Sequence, residues 1–111
     1  MEQTILHKDG IAILRLAGRF DAFEADTVKA KLTDAIESSS RVIVDLTQVN
    51  FMDSSALAVL VQGMKHCRQN NGDLYLSNLQ DTVRTIFELT RLDKAIQIYD
   101  TTDEALNAFK A

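Results

Sequence analysis

The stretch from Arg41 to Gln69, RVIVDLTQVNFMDSSALAVLVQGMKHCRQ, constrains this chain most. Val42-Ile43-Val44, then Asp45 and Leu46, form a short apolar run bounded by polar residues, which predicts a strand buried on both faces over Arg41–Leu46. Downstream, Leu57, Leu60, Val61, Met64 and Cys67 recur at helical spacing and predict one buried helix face. Between them stands Asp53-Ser54-Ser55, the composition of a helix N-cap. A buried strand that feeds a helix through a short turn carries that turn to a sheet edge, where open α/β sheets collect their functional groups.

The flanks extend the pattern. Thr4–His7 and Ile11–Leu16 predict two strands, and Asp9-Gly10 between them predicts a tight hairpin turn. A helix over about Ala22–Glu37 follows, with Asp21 as its expected cap and Ala25, Val28, Leu32, Ala35 and Ile36 on its apolar face. Asn70-Asn71-Gly72 suits a left-handed helix end. Leu74–Leu76 predicts a strand, Thr82–Leu89 a helix with Val83, Ile86 and Phe87 inward, Ala95–Tyr99 a strand, and Thr102–Phe109 a last helix. Strands alternating with helices after an opening hairpin predict a single α/β domain over residues 1–111. Its sheet should be mixed, with four or five strands and about four helices, and the later strands paired in parallel.

Composition narrows the function. Sixteen acidic against twelve basic residues give a net charge of −4, with no basic patch for phosphate backbones, so no nucleic acid is expected as a partner. The one cysteine, Cys67, permits no disulfide within the chain and fits a reducing compartment. Neither His7 nor His66 has a second ligand at metal spacing, so neither a metal nor a cofactor is expected. The N-terminus lacks the basic and apolar regions of a signal peptide, and no apolar run nears the roughly 20 residues of a membrane span. A cytoplasmic domain without membrane insertion is the expectation.

Catalysis finds little support. A nucleophilic serine at position 54 or 55 needs a base within hydrogen-bond reach. His66 lies about three helical turns on, roughly 18 Å along the axis. No glycine-rich phosphate loop is present. Asp21, Asp45 and Asp53 read more naturally as caps and strand-end acceptors than as a Mg²⁺ cluster. The helix after Asp53 offers instead a second stripe, Ser54, Ala58, Gln62 and Lys65, small and polar, on a face beside the buried one. Ser54 heads that accessible face.

At this point the chain resembles the STAS domain of bacterial anti-sigma factor antagonists, on Val42–Leu46 followed by Phe51-Met52-Asp53-Ser54-Ser55-Ala56-Leu57. Gly18-Arg19-Phe20-Asp21 is similar to the family's first loop, and Val83–Asp93 to its third helix and the turn beyond. The family usually has Gly where Ala56, Ala58 and Arg91 stand. The resemblance implies a phosphoacceptor at Ser54. Its implied partners are an anti-sigma factor that is also a serine kinase and a serine phosphatase, with the domain a monomer or weak dimer. The partner-binding residues expected around Ser54 are Asp21, Asp53, Ser55, Ala58, Gln62 and Lys65. A constitutive STAS subunit of a stress-sensing or lipid-transport complex is the alternative.

Overall fold

The computed structural model describes residues 1–111. Strands β1 (Glu2–Lys8) and β2 (Ile11–Phe20) form the antiparallel hairpin, and its turn residues Asp9 and Gly10 both take positive φ, 54° and 78°. That pair is what a two-residue hairpin turn demands of its central positions. Helix α1 (Ala25–Ser38) crosses to β3 (Arg41–Met52), α2 (Ser54–Gln69) to β4 (Asp73–Ser77), and α3 (Asp81–Leu89) leads through a 3₁₀ turn (Leu92–Lys94) to β5 (Ile98–Tyr99). Helix α4 (Thr102–Lys110) closes the chain. The five strands lie in chain order, β1-β2-β3-β4-β5, and every pairing after the hairpin is parallel.

Strand β3 is central, and its alternation splits the core in two. Val42, Val44 and Leu46 join Leu14, Leu60, Leu74, Val83 and Phe87 under α1, α2 and α3. Ile43 points the other way, with Ile11 and Ile13, onto Ala105 and Leu106 of α4. Burying both faces is the physical reason this strand reads as an unbroken apolar run. In α2, Leu57, Leu60, Met64 and Cys67 are buried as the periodicity requires, and Val61 is half-buried. A further buried row, Ala56, Val59 and Gly63, turns toward α1. A Cβ at Gly63 would lie 2.5 Å from Leu32 Cδ2, so this glycine sets how closely the two helices approach.

Several boundaries differ from the sequence expectation: β1 begins at Glu2, not Thr4, β2 runs on past Leu16 to Phe20, and β4 gains a residue at each end. Strand β3 runs on past Leu46 to Met52, because register shifts between Arg15 and Ala17 and between Gly18 and Arg19 of β2 keep the two strands paired as they bend. Helix α1 starts at Ala25, not Ala22, and Asp21 is not its cap: the Asp21 carboxylate accepts from the amide of Phe23 at 3.1 Å, folding a separate turn ahead of the helix. The last strand is only Ile98–Tyr99, not Ala95–Tyr99, since the Ala95 and Ile96 amides donate back to the Leu92 carbonyl and close the 3₁₀ turn. Helix α4 begins at Thr102 as expected, capped by Thr101, which accepts from the Glu104 amide at 3.1 Å.

The C-terminus of α2 takes the left-handed form its sequence suggests. Asn71 has φ 63°, the Gly72 amide donates to the Cys67 carbonyl at 2.9 Å, and the Asn71 amide to Arg68 at 3.2 Å. These are the paired bonds of a Schellman motif. Arg91, where the resemblance implies a Gly, also adopts the left-handed region, at φ 61° and ψ 16°.

Candidate functional site

Asp53 builds the site. It lies just past the end of β3 in extended backbone, and its own amide donates to the Phe20 carbonyl at 3.3 Å, prolonging the pairing of β2 with β3 by one rung. Its Oδ1 accepts from the Ala56 amide at 3.1 Å, satisfying one of the orphan donors of α2's first turn. Its Oδ2 accepts from the Ala22 amide at 3.0 Å. One carboxylate thus ties the first loop to the start of α2. Asp53, not Ser54, is the cap.

With the cap assigned to Asp53, Ser54 becomes the first residue of α2 and is exposed, while Ser55 is half-buried. Ala58, Gln62 and Lys65 are exposed along the same helix. The four residues share one face, and Lys65 stands roughly 16 Å from Ser54 along the axis. The adjoining rows carry the core contacts, so α2 separates packing from presentation.

The first loop completes the edge. Between Phe20 and Thr27 the chain carries three carboxylates, Asp21, Glu24 and Asp26, and no cation. Asp21 is held from both sides: the Phe23 amide donates to Oδ1, and Arg19 Nε lies 3.9 Å from Oδ2. The Arg19 guanidinium in turn sits 3.9 Å from the centroid of the Phe51 ring, an attraction between a cation and the ring's negative face. Phe23 projects from this loop 95% exposed.

The structure therefore brings Asp21, Asp53, Ser54 and Ser55 to one end of the sheet and runs Ala58, Gln62 and Lys65 away from it along α2. Asp45 is not part of this group. It is buried within β3, beside the register shift after Arg15, accepting from the Thr47 amide at 3.0 Å and from Asn78 Nδ2 at 3.3 Å, with Arg15 Nε 3.4 Å away. A surface concavity of about 330 Å³ is lined by Arg15, Asp45, Thr47 and residues of β1, and no residue of α2 reaches it. His7 is occupied elsewhere, 2.9 Å from the Ser38 hydroxyl. Sequence reasoning missed Phe23, Arg19 and Phe51. For Phe23 a signal was available: position 23 falls off the apolar stripe of Ala25, Val28, Leu32 and Ile36, so a large apolar side chain there has no place in the core.

The STAS domain family model matches residues 3–105. The anti-sigma-B factor antagonist of Listeria monocytogenes is 36% identical over 90 residues, covering 80% of this chain and 79% of that protein. Among solved structures, an anti-sigma factor antagonist from Mycobacterium paratuberculosis superposes with a TM-score of 0.91 at 23% identity, covering 99% of this chain and 94% of its own. SpoIIAA of Bacillus, in its phosphorylated form, superposes at 0.73 with 23% identity, covering 96% and 98%. These structures share the fold. No helix of this chain is long and apolar enough to cross a membrane. With a matching family model that spans nearly its whole length and relatives that are anti-sigma factor antagonists, the chain belongs to the STAS domain family.

Proposed function

We propose that this chain is an anti-sigma factor antagonist that works by phospho-regulated partner switching in the cytoplasm. Unmodified, it binds an anti-sigma factor that is also a serine kinase. That kinase phosphorylates Ser54, the complex parts, and a serine phosphatase resets the cycle. The observation that carries the reading is the position of Ser54: exposed, first in α2, at the head of an exposed stripe that runs through Ala58, Gln62 and Lys65.

The physics of that position suits a switch. Phosphoserine adds about −1.5 to −2 charges. At a helix N-terminus the free domain tolerates the anion, because amides and dipole favour negative charge there. Enclosed in an interface, the same anion loses its water at a cost of several kcal/mol. A loss of about 3 kcal/mol weakens a complex roughly a hundredfold or more. One modification thus releases the partner and leaves the fold intact.

The test uses wild type, Ser54→Ala and Ser55→Ala, each incubated with the serine-kinase anti-sigma factors of the source genome and ATP. Phosphate is then mapped by mass spectrometry and affinity measured before and after. The expected result is phosphate on Ser54, lost affinity on modification, and a Ser54→Ala variant that binds and is never released. Phosphate on Ser55 alone, or full affinity of the Ser54-phosphorylated form, overturns the mechanism. Phosphate on neither serine with binding intact favours a constitutive subunit of a larger assembly.

A further inference from the structure

Phe23 is 95% exposed, the largest exposure of any big apolar side chain in the molecule. Leu89, at 79%, stands at the C-terminus of α3. Phe23 differs from it by where it stands and by how its backbone is held. The Phe23 amide donates to Asp21 Oδ1 at 3.1 Å, the Glu24 amide to the Asp21 carbonyl at 3.0 Å, and the neighbouring Ala22 amide to Asp53 Oδ2 at 3.0 Å. The ring is thus presented on a fastened loop, one hydrogen bond removed from the cap of the helix that begins with Ser54. A side chain whose backbone is already ordered loses little freedom on docking. Buried aromatic anchors are the residues that dominate protein interfaces.

We propose that Phe23 is the apolar anchor by which this chain docks its anti-sigma factor, inserting into an apolar pocket of that partner whose rim is basic. The proposal rests on the partner-switching reading and adds to it the residue that supplies affinity and the chemistry of the surface that receives it. The basic rim follows from charge. Of the carboxylates at this edge, Asp21 lies 3.9 Å from Arg19 and Glu24 3.3 Å from the N-terminal ammonium, whereas Asp26 and Asp53 face no cation, so the edge keeps an excess of negative charge. A pocket that receives Phe23 must face these groups, and like charges there repel. The same edge includes Ser54, so the anchor and the modified hydroxyl share one interface. A new phosphate would add to the acidic field the partner meets while leaving the anchor in place.

The experiment measures binding of the full chain to the purified serine-kinase anti-sigma factors of the source genome, taken one at a time. Wild type, Phe23→Ala, Phe23→Leu, Asp26→Lys and Ser54→Asp are compared, with circular dichroism and thermal midpoints as the check on folding. Phe23→Ala is expected to lose at least about thirtyfold in affinity, mostly through faster dissociation, with its thermal midpoint unchanged. Phe23→Leu, which keeps an apolar side chain, is expected to recover most of that loss. Asp26→Lys is expected to slow association and flatten its dependence on salt. Affinity within about twofold for Phe23→Ala, while Ser54→Asp still weakens the complex, overturns the anchor and leaves the switch standing. Should Phe23→Ala instead abolish self-association in sedimentation and leave kinase affinity unchanged, the ring is covered by a second copy of this chain and the proposal fails. Absence of binding by wild type to every kinase overturns the anchor and the partner-switching reading together.

Discussion

Asp53 and Ala22, 31 residues apart, are joined by a 3.0 Å hydrogen bond from the Ala22 amide to Oδ2, while the other carboxylate oxygen caps α2 through Ala56. A single side chain therefore sets the position of the first loop relative to Ser54. Asp53→Ala removes both acceptors and is expected to cost about 2 kcal/mol, the sum of a lost cap and a lost charged hydrogen bond. Hydrogen exchange reads the two bonds separately: the Ala22 and Ala56 amides should both lose protection. Asp53→Asn, which retains one acceptor oxygen, is expected to restore one of the two.

The two sides of α2 should respond to substitution by very different amounts. Leu60 is fully buried and Gln62 exposed. Leu60→Ala is expected to cost about 2–5 kcal/mol, the range for truncating a core leucine. Gln62→Glu should leave stability within about 0.5 kcal/mol. Urea unfolding of both variants checks the contrast, and equal losses would contradict the division of the helix described above.

Arg91 holds a left-handed backbone with a side chain exposed to water. For an L-residue that conformation costs about 1–2 kcal/mol, which glycine escapes, while glycine's freer unfolded chain takes part of the gain back. Arg91→Gly is accordingly expected to raise stability by about 0.5–1 kcal/mol, read as a shift of the urea midpoint at constant slope.

Cys67 has no exposed surface, and burial, with Asp73 adding a smaller repulsion, pushes its thiol up to about 12. An unfolded thiol ionises near pH 8.5. Between those values the folded chain keeps a proton that the unfolded chain gives up, so this group's contribution to stability is fully present below about pH 8.5 and falls as pH rises toward 12. At pH 8 the native thiol should not react with an aromatic disulfide reagent, whereas the urea-unfolded chain should react within minutes. Rapid labelling of the native protein would show the thiol to be accessible.

The parts of the fold that were legible in the sequence are those where burial writes a period. Val42–Val44 and Leu57–Cys67 show their environment directly, because both faces of one and one face of the other exclude polar residues. Asp9-Gly10 was equally plain, since few residue pairs tolerate two positive φ angles in succession. The second half of β3 was not, because Thr47-Gln48-Val49-Asn50 mixes polar residues at the spacing of a loop, and only the bends in its neighbour β2 keep it paired. At the site, the group around Ser54 followed from helical spacing. The tie from Asp53 to Ala22 joins residues distant in the chain, and nothing in local pattern announces it.

The strict order of the five strands along the sheet has a consequence for how the chain is made. Each strand pairs with the one synthesised just before it, so every rung of the sheet can close as soon as its second strand has left the ribosome. No strand waits for a distant segment to be translated, and no edge is held open for a later insertion. The hairpin of β1 and β2 supplies the first template, β3 covers its free edge, and the loop around Asp21 can be pinned by Asp53 once Ser54 and Ala56 begin α2. The nascent chain can thus complete the edge bearing Ser54 with roughly the second half of the sequence still to emerge.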